Sequence, residues 1–416
     1  MKVHWKNNRS IRPDRLLDRL NRSKSIRNDG RVSYDSFDYY DVFSAIFSML
    51  VFPKSVSSEI PIDHIVSKAI DRAALEGNIT KEILIKKINN VVEEELSTKE
   101  IRYHLLTSVS ITGDLPFKQI VFEGVRIRFV DRYPKKYSCR NEVIIENNKN
   151  FSPDHPGYRK VILTVKSKSY RGASTKALDA LDAIRSIFCM FANAEKELLG
   201  DQDSPVNRVR LGQVHTLHKE NGSSATQGMV WYEPNFKQQR PFNIKGGDVY
   251  NKNFRFIIDG INNQPYGRDV KNALVRYVRA LDDPNHNSAL VQIWGALEAL
   301  VSPYESNCDR ISRRCSFLFD DQEYHEQIIE HLREYRNSNV HAGDQSDRAK
   351  MYCFQAQYYF KQMIYFLLRN VFEFSCLAEA FEFLDMPSSR TSLEAKEKIL
   401  KNVFSFKRYR DMVPGS

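Results

Sequence analysis

The chain has 416 residues, 42% of them hydrophobic, and carries a formal net charge of +10. A chain of this length should hold two or three domains, and the positive charge suits a polyanionic partner although it says little about fold. The six cysteines form no Cys-x-x-Cys pair, no apolar segment follows the basic N-terminus, and the longest nearly apolar run, residues 42–52, is shorter than a membrane span. We therefore expect a cytoplasmic protein with no disulfide framework, no zinc site and no membrane contact.

Residues 1–32 are polar and basic, with ten Lys or Arg and three Asp or Glu, a net charge of +7. They contain few large apolar side chains, so the sequence predicts a basic, partly disordered arm. Pro13 suits the first turn of a short helix over residues 13–21. A nucleic-acid-binding arm is the functional alternative to a merely solubilising terminus.

Residues 33–253 are predicted to form a region that is first helical and then α+β. Helical spacing continues to about residue 108, and Ser97-Thr98-Lys99-Glu100 resembles a capping box that would begin the last of these helices. Residues 125–130 alternate apolar and charged side chains, which indicates a half-buried strand. The preceding Glu123-Gly124 suits a turn that would join this strand to residues 119–122 as a hairpin.

The mixed part of this region extends over about 110–235. Further strands are expected at residues 142–146, 160–168 and 209–218, with a long amphipathic helix at 175–199. His215 and His218 would point to opposite faces of their strand, so joint metal binding is not expected. A polar stretch over residues 235–253 contains Pro241 and predicts a linker at a domain boundary.

Residues 254–384 have an almost purely helical pattern, which predicts an all-α bundle, and residues 385–416 add a short helix and a basic tail. Helices are predicted at 269–281, 287–301, 307–319, 322–341 and 347–374. The last of these is apolar over more than one face, so it should be central to the bundle or covered by a second copy. Residues 252–382 hold fifteen Lys or Arg and eighteen Asp or Glu, a net charge of −3, so attraction to nucleic acid should come mainly from elsewhere.

One motif in the helical region combines two residues whose side chains could take part in catalysis. Arg336 stands five residues before His341, Asn337 follows the arginine, and Gly343 suits the left-handed position just past a helix end. Arginine can hold a phosphate with its planar fork of donors, and histidine transfers protons near neutral pH. Asn337 lies four residues before His341 and so shares its helix face. His341 would lie in the last helical turn, where the helix dipole favours a protonated ring.

The motif and its surroundings resemble the HEPN superfamily of ribonucleases, whose signature is Arg-x4-6-His with a polar residue after the arginine. The ApeA-like branch is similar over about residues 260–382. An Ala296-Leu297-Glu298-Ala299-Leu300 helix precedes an Arg-rich helix at 310–314 and then the element from Tyr335 to Gly343. Ala342 stands between the histidine and the glycine, where some members have no residue.

This resemblance implies a homodimeric, metal-independent endoribonuclease that needs no cofactor. Arg336, His341 and Asn337 would be catalytic, with attack by the ribose 2′-hydroxyl leaving a 2′,3′-cyclic phosphate. Glu298 would hold an arginine in place. The remaining residues expected to support the site or bind RNA are Arg310, Arg313, Arg314 and Tyr335.

The resemblance also suggests a toxin-like effector of antiphage abortive infection that cleaves host RNA, such as tRNA. Residues 33–253 would then sense a phage-derived trigger. One alternative is a non-catalytic HEPN dimer that binds RNA or protein, and another is a ligand-activated ribonuclease of the CRISPR-ancillary type, which would need a doubly wound sensor domain. A DNA-binding regulator is a further alternative, but the sequence shows no helix-turn-helix signature that would support it.

Overall fold

The structure is a computed structural model with a mixed α+β fold, as the sequence predicts. It describes residues 2–8, 10–53, 56, 60–147, 151, 154–196, 205–226, 228–302, 309–343 and 345–412. The side chains of residues 36, 309, 341 and 409–412 lie outside this description. Among the described helices, none combines the length and hydrophobicity that a membrane crossing requires.

In the part of the N-terminal unit that the structure describes, four helices and two small antiparallel strand pairs are present. The helices are α1 (Pro13–Ser23), α2 (Ser36–Met49), α3 (Ile62–Leu75) and α4 (Lys81–Ser97). The strand pairs are β1 (His4–Trp5) with β4 (Leu50–Val51), and β2 (Lys24–Ile26) with β3 (Val32–Tyr34).

The predicted partly disordered arm is wrong, because residues 2–8 and 10–32 belong to this unit. Val3, Leu17 and Leu20 are buried in one core with α2, α3 and α4. Helix α1 buries Leu17 and Leu20 on one side. Together with Val3, they attach a segment that is otherwise polar. Asn21 also exchanges two hydrogen bonds with the backbone of Ile79.

The centre of the chain forms a six-stranded antiparallel sheet in the order β11-β10-β5-β9-β8-β7. Its strands are β5 (Ile101–Val109), β7 (Gln119–Phe122), β8 (Val125–Val130), β9 (Arg159–Ser167), β10 (Val214–Lys219) and β11 (Trp231–Tyr232). Strands β6 (Ile111–Gly113) and β12 (Phe242–Ile244) form a separate parallel pair. A short 3₁₀ helix (Lys135–Tyr137), α5 (Arg140–Asn147) and α6 (Tyr170–Ala192) complete this part.

Two sequence predictions in this region are wrong. Ser97 is the last residue of α4 and Thr98 caps its C-terminus, so the apparent capping box ends a helix and is followed by β5. Residues 142–146 belong to α5 and not to a strand, because a run of only three apolar residues between two glutamates fits either structure. The hairpin of β7 and β8 is confirmed, and Glu123 and Gly124 at its turn both have positive φ, as a two-residue hairpin turn requires.

The remaining chain is helical. Its helices are α7 (Gly247–Asn263), α8 (Gly267–Ala280), α9 (His286–Val301), α10 (Asp309–Ser316), α11 (Gln322–Ala342), α12 (Ala349–Arg369), α13 (Leu377–Leu384) and α14 (Arg390–Met412). Helix α12 is buried on most of its surface against α7 and α9, so the chain itself accounts for most of its apolar character. Helix α14 instead leaves apolar side chains such as Ile399 and Phe404 exposed.

The sheet and the helical part share one hydrophobic core, which extends from Tyr103 to Leu384. Helix α6 packs against the sheet on one side and against α8 on the other. The predicted linker at 235–253 is not a boundary in packing, because β12 pairs with β6 and α7 begins at Gly247. Its polar composition reflects exposure to solvent and does not separate two cores.

Candidate functional site

The motif lies at the C-terminal end of α11, as predicted. Asp321 caps the start of this helix by accepting a hydrogen bond from the backbone N–H of Tyr324 at 3.2 Å. Ile329 and Leu332 face the core, which fixes the rotation of the helix. Gly343 ends it in the left-handed conformation with φ of 73° and donates its N–H to the carbonyl of Asn339.

Arg336 lies next to Glu298 of α9, and both side chains are about three-quarters buried. An Arg336 Nη2 atom is 3.5 Å from Glu298 Oε1, and the two side chains are 24% and 25% exposed. The same Glu298 oxygen accepts a hydrogen bond from the Trp294 indole at 2.8 Å. Glu298 is therefore held by α9 itself, and it holds Arg336 in turn. The Nε atom of Arg336 is buried and has no hydrogen-bond partner among the described residues.

The side-chain amide oxygen of Asn337 accepts a hydrogen bond from Arg336 Nη1 at 3.1 Å. This contact orients the guanidinium between Asn337 and Glu298. The backbone of His341 belongs to the last turn of α11. Its side chain lies outside the described part of the structure, so the expected contact between Asn337 and the ring falls outside it as well.

Tyr335 contacts two neighbouring helices, α9 and α12. Its hydroxyl donates a hydrogen bond to the side-chain oxygen of Asn287 at the start of α9, and that oxygen also accepts from the backbone N–H of Ser346 at 3.2 Å. The Tyr335 ring packs edge-on against Tyr352 of α12, with centroids 4.9 Å apart. These contacts attach the end of α11 and the following turn to two other helices, which makes the position of the motif rigid.

The three arginines of α10 all contact Asp385 and do not form one open phosphate-binding face. Arg314 is buried, and its Nε and Nη2 atoms donate to the two carboxylate oxygens of Asp385 at 2.9 and 2.7 Å. Arg313 donates to the backbone carbonyl of Asp385 at 2.9 Å. Arg310 lies 3.5 Å from the same carboxylate and is 56% exposed. The guanidinium of Arg314 is therefore sequestered in a bidentate pair, and this geometry favours the supporting role over the RNA-binding role among the two that the sequence predicts for it.

His215 and His218 bind different groups, as their spacing on β10 predicts. The ring of His215 lies 2.7 Å from the Thr107 hydroxyl and 2.9 Å from Glu233. His218 lies 2.9 Å from the carbonyl of Gly222, and burial lowers the pKa of its ring to about 4. Among the described residues, no group of three or more His, Cys, Asp or Glu side chains is placed to hold a metal ion.

The sequence analysis does not identify Trp294, Asn287 and Asp385 as residues that position the site. Trp294 could have been identified, because it stands four residues before Glu298 and must share its helix face. Asn287 and Asp385 are distant in sequence from the residues they contact, and no local pattern indicates them. Comparisons with protein-family models, curated proteins and solved structures find no match for this chain.

Proposed function

We propose that the chain is a metal-independent endoribonuclease of the HEPN type. The observation that supports this proposal most is the environment of Arg336, which is oriented by Glu298 and Asn337 one helical turn and a half before His341. A guanidinium held by neighbours keeps most of its donors in a fixed direction and needs little reorganisation when charge develops on a phosphate.

The proposed reaction is an internal transesterification. The ribose 2′-oxygen attacks the adjacent phosphorus, and the bond from phosphorus to the 5′-oxygen breaks. The products are a 2′,3′-cyclic phosphate and a 5′-hydroxyl. His341 accepts the proton of the 2′-hydroxyl or supplies one to the leaving oxygen, a role worth about 10²–10⁴-fold in rate. Arg336 stabilises the negative charge on the non-bridging oxygens.

Glu298 has two opposing effects on Arg336 in this proposal. It fixes the guanidinium, and its own negative charge competes with a phosphate. At 3.5 Å the Glu298–Arg336 contact is longer than a charge-assisted hydrogen bond of about 2.7–2.9 Å. A phosphate oxygen can therefore displace part of this interaction, while the Trp294 indole keeps Glu298 in place.

The biological setting we propose follows the family resemblance. Two copies would form the active nuclease through their helical parts, and infection by a phage would trigger cleavage of host RNA, such as tRNA. Residues 33–253 would carry the regulatory role. This part holds a six-stranded antiparallel sheet, whereas a doubly wound sensor for a cyclic oligonucleotide requires a parallel one. The sheet therefore gives no support to the CRISPR-ancillary alternative.

The test compares the wild type with His341→Ala and Arg336→Ala. Growth and total RNA integrity are followed with and without phage, and the ends of the RNA products are identified. We expect cleavage only by the wild type, with cyclic phosphate ends and no effect of EDTA. Equal behaviour of all three proteins would refute the catalytic proposal, and loss of activity in EDTA would refute its metal-free mechanism.

A non-catalytic HEPN dimer is the second candidate. The observation that favours it is that Arg336 already has an acidic partner in Glu298, which is also what a purely structural arginine would show. Unchanged RNA binding by His341→Ala, together with intact RNA in the presence of either protein, would select this candidate.

A further inference from the structure

A large groove lies at one end of the sheet, away from the motif on α11. Its volume is about 1130 Å³. The open face of the sheet and the turn between β7 and β8 form one side, while side chains of α6 and α8 form the other. The groove thus lies where the sheet region meets the helical part.

The strand alternation directs cations into this groove. In β8, Val125, Ile127 and Phe129 face the core, so Arg126 and Arg128 project from the opposite, open face of the sheet. The strand register continues this face across the sheet.

Residues of the neighbouring strands add to the same face. Thr164 of β9 pairs with Arg126 on one side and with His104 of β5 on the other. Lys166 of β9 pairs with Arg102 of β5. At this end of the sheet, the face turned away from the core therefore presents arginine, lysine and hydroxyl groups of three adjacent strands together.

The groove carries an excess of positive charge. Eight Lys or Arg and three Asp or Glu line it, an excess of five positive charges. All three carboxylates are already in ion pairs, among them Glu123 with Lys271 at 2.8 Å and Glu220 with Arg102. The third, Asp179, pairs with Arg279 at 2.6 Å.

Four of the cations have no such partner. Arg126, Arg128, Lys166 and Arg268 are exposed, and no carboxylate in the described part of the chain lies within ion-pair distance of them. Like charges gathered in one groove repel each other, and an anionic ligand would remove that repulsion.

The lining indicates what kind of anion would bind. The groove is larger than the volume of about 300–1,000 Å³ that is usual for small-molecule pockets, and more of its wall is polar than apolar. Tyr137 is 3% exposed, so its ring cannot serve as a stacking platform for a base. Burial and the nearby Lys136 lower the pKa of His104 to about 4, so its ring is neutral at neutral pH. The surface therefore fits a chain of phosphates better than a stacked base.

We propose that this groove binds the phosphate backbone of single-stranded RNA through Arg126, Arg128, Lys166 and Arg268. Binding here is separate from the Arg336 site and independent of whether the chain cleaves RNA. Because the contacts are to phosphates, affinity should depend on salt and little on base sequence. This groove would also supply the attraction to nucleic acid that the acidic composition of residues 252–382 lacks.

The test measures binding of a labelled single-stranded oligouridylate by fluorescence anisotropy over a series of salt concentrations. His341→Ala is the parent protein, so that cleavage cannot interfere. We expect Arg126→Glu/Arg128→Glu to lose at least about tenfold in affinity, and the slope of log K against log salt to fall in magnitude by about 1.4, since each phosphate contact contributes about 0.7. The matched control, Lys86→Glu/Lys398→Glu, makes the same charge change at exposed sites outside the groove and should bind within about twofold of the parent.

Circular dichroism and the urea midpoint establish that each variant is folded. Arg126→Gln/Arg128→Gln removes the two charges without reversing them and should give a smaller loss of affinity.

The proposal would be overturned if the Glu double variant bound as tightly as the parent, or if the Lys86/Lys398 control lost as much affinity. Uridine monophosphate that binds as tightly as the oligonucleotide would also overturn it, because the groove would then be a nucleotide pocket. A DNA strand should bind within a few-fold of RNA, and a strong preference for RNA would overturn recognition by phosphates alone. Failure of RNA cleavage by the wild type leaves all these results unchanged.

Discussion

The buried Arg185 of α6 provides the sharpest stability prediction. Its side chain is 1% exposed, and its guanidinium donates to Asp182 at 2.7 Å and to both oxygens of Asp282 at 3.0 and 2.7 Å. It also donates to the carbonyl of Val209 at 3.1 Å. Asp282 follows α8, so this ion pair joins the helix on the sheet to the helical part.

Removing one member of the pair should be costly, and removing both should cost less than the sum. Asp282→Ala leaves Arg185 with one carboxylate for its buried charge, and Arg185→Met leaves Asp282 without its bidentate partner. Breaking a buried pair costs about 3–5 kcal/mol of unfolding free energy. In the double variant neither charge of the pair remains unmatched, while Asp182 keeps Arg279 at 2.8 Å. We expect a coupling energy of at least about 2 kcal/mol.

Urea unfolding followed by Trp294 fluorescence measures these values. The chain has three tryptophans, and Trp5→Phe/Trp231→Phe leaves Trp294, which is 1% exposed within the shared core, as the only reporter. Glu394→Ala breaks an exposed pair on α14 and serves as the control, with an expected change within about 0.5 kcal/mol. Additive effects of the two single substitutions would refute the coupled pair.

Three further predictions concern the motif and the histidines. Glu298→Ala should lower RNA cleavage about tenfold, equivalent to about 1.4 kcal/mol of barrier, because Arg336 loses its orienting partner; single-turnover rates measure this. Stability should fall as the pH drops from about 6.5 to about 4, because burial lowers the pKa of His104 and His218 to about 4 and only the unfolded chain takes up their protons in this window; urea midpoints at several pH values measure it. Gly343→Ala should cost about 1 kcal/mol in unfolding free energy, since φ is 73° there, again by urea unfolding.

Each of these predictions has a matched control. Glu298→Gln keeps an oxygen that can accept from Trp294 and should retain most of the cleavage; equal loss in both variants would show that the negative charge, not the position of Arg336, matters. His104→Gln should reduce the pH dependence of the urea midpoint, and an unchanged pH profile would contradict the assignment. Gly343→Asn should cost less than Gly343→Ala, because asparagine tolerates the left-handed region better.

The sequence predicts elements well where one face of the element is open to solvent. The alternation in β8 and the glycine that ends α11 are local signals, and both are confirmed. The helix predicted up to about residue 108 is wrong over β5, where residues 103–109 are all buried. A central strand that is covered on both faces loses the period of two, and its apolar run then resembles a helix.

The candidate site divides in the same way. Arg336, Asn337 and Glu298 could be identified from spacing, and the structure places them in contact. The pairing of Arg314 with Asp385 could not, because it depends on the position of a residue 71 positions away. The basic groove was equally hidden, since its eight cations come from three strands and three helices whose order in space differs from their order in sequence.

The shared core also determines what kind of units this chain can be divided into. A cut between β12 and α7 would separate the inner surfaces of α6 and α8, so that buried side chains of the shared core would become exposed on both fragments. Both fragments would then expose apolar surface and tend to aggregate. The helical part is therefore not an interchangeable cassette, and its transfer to another protein during evolution would require the sheet to be inherited with it.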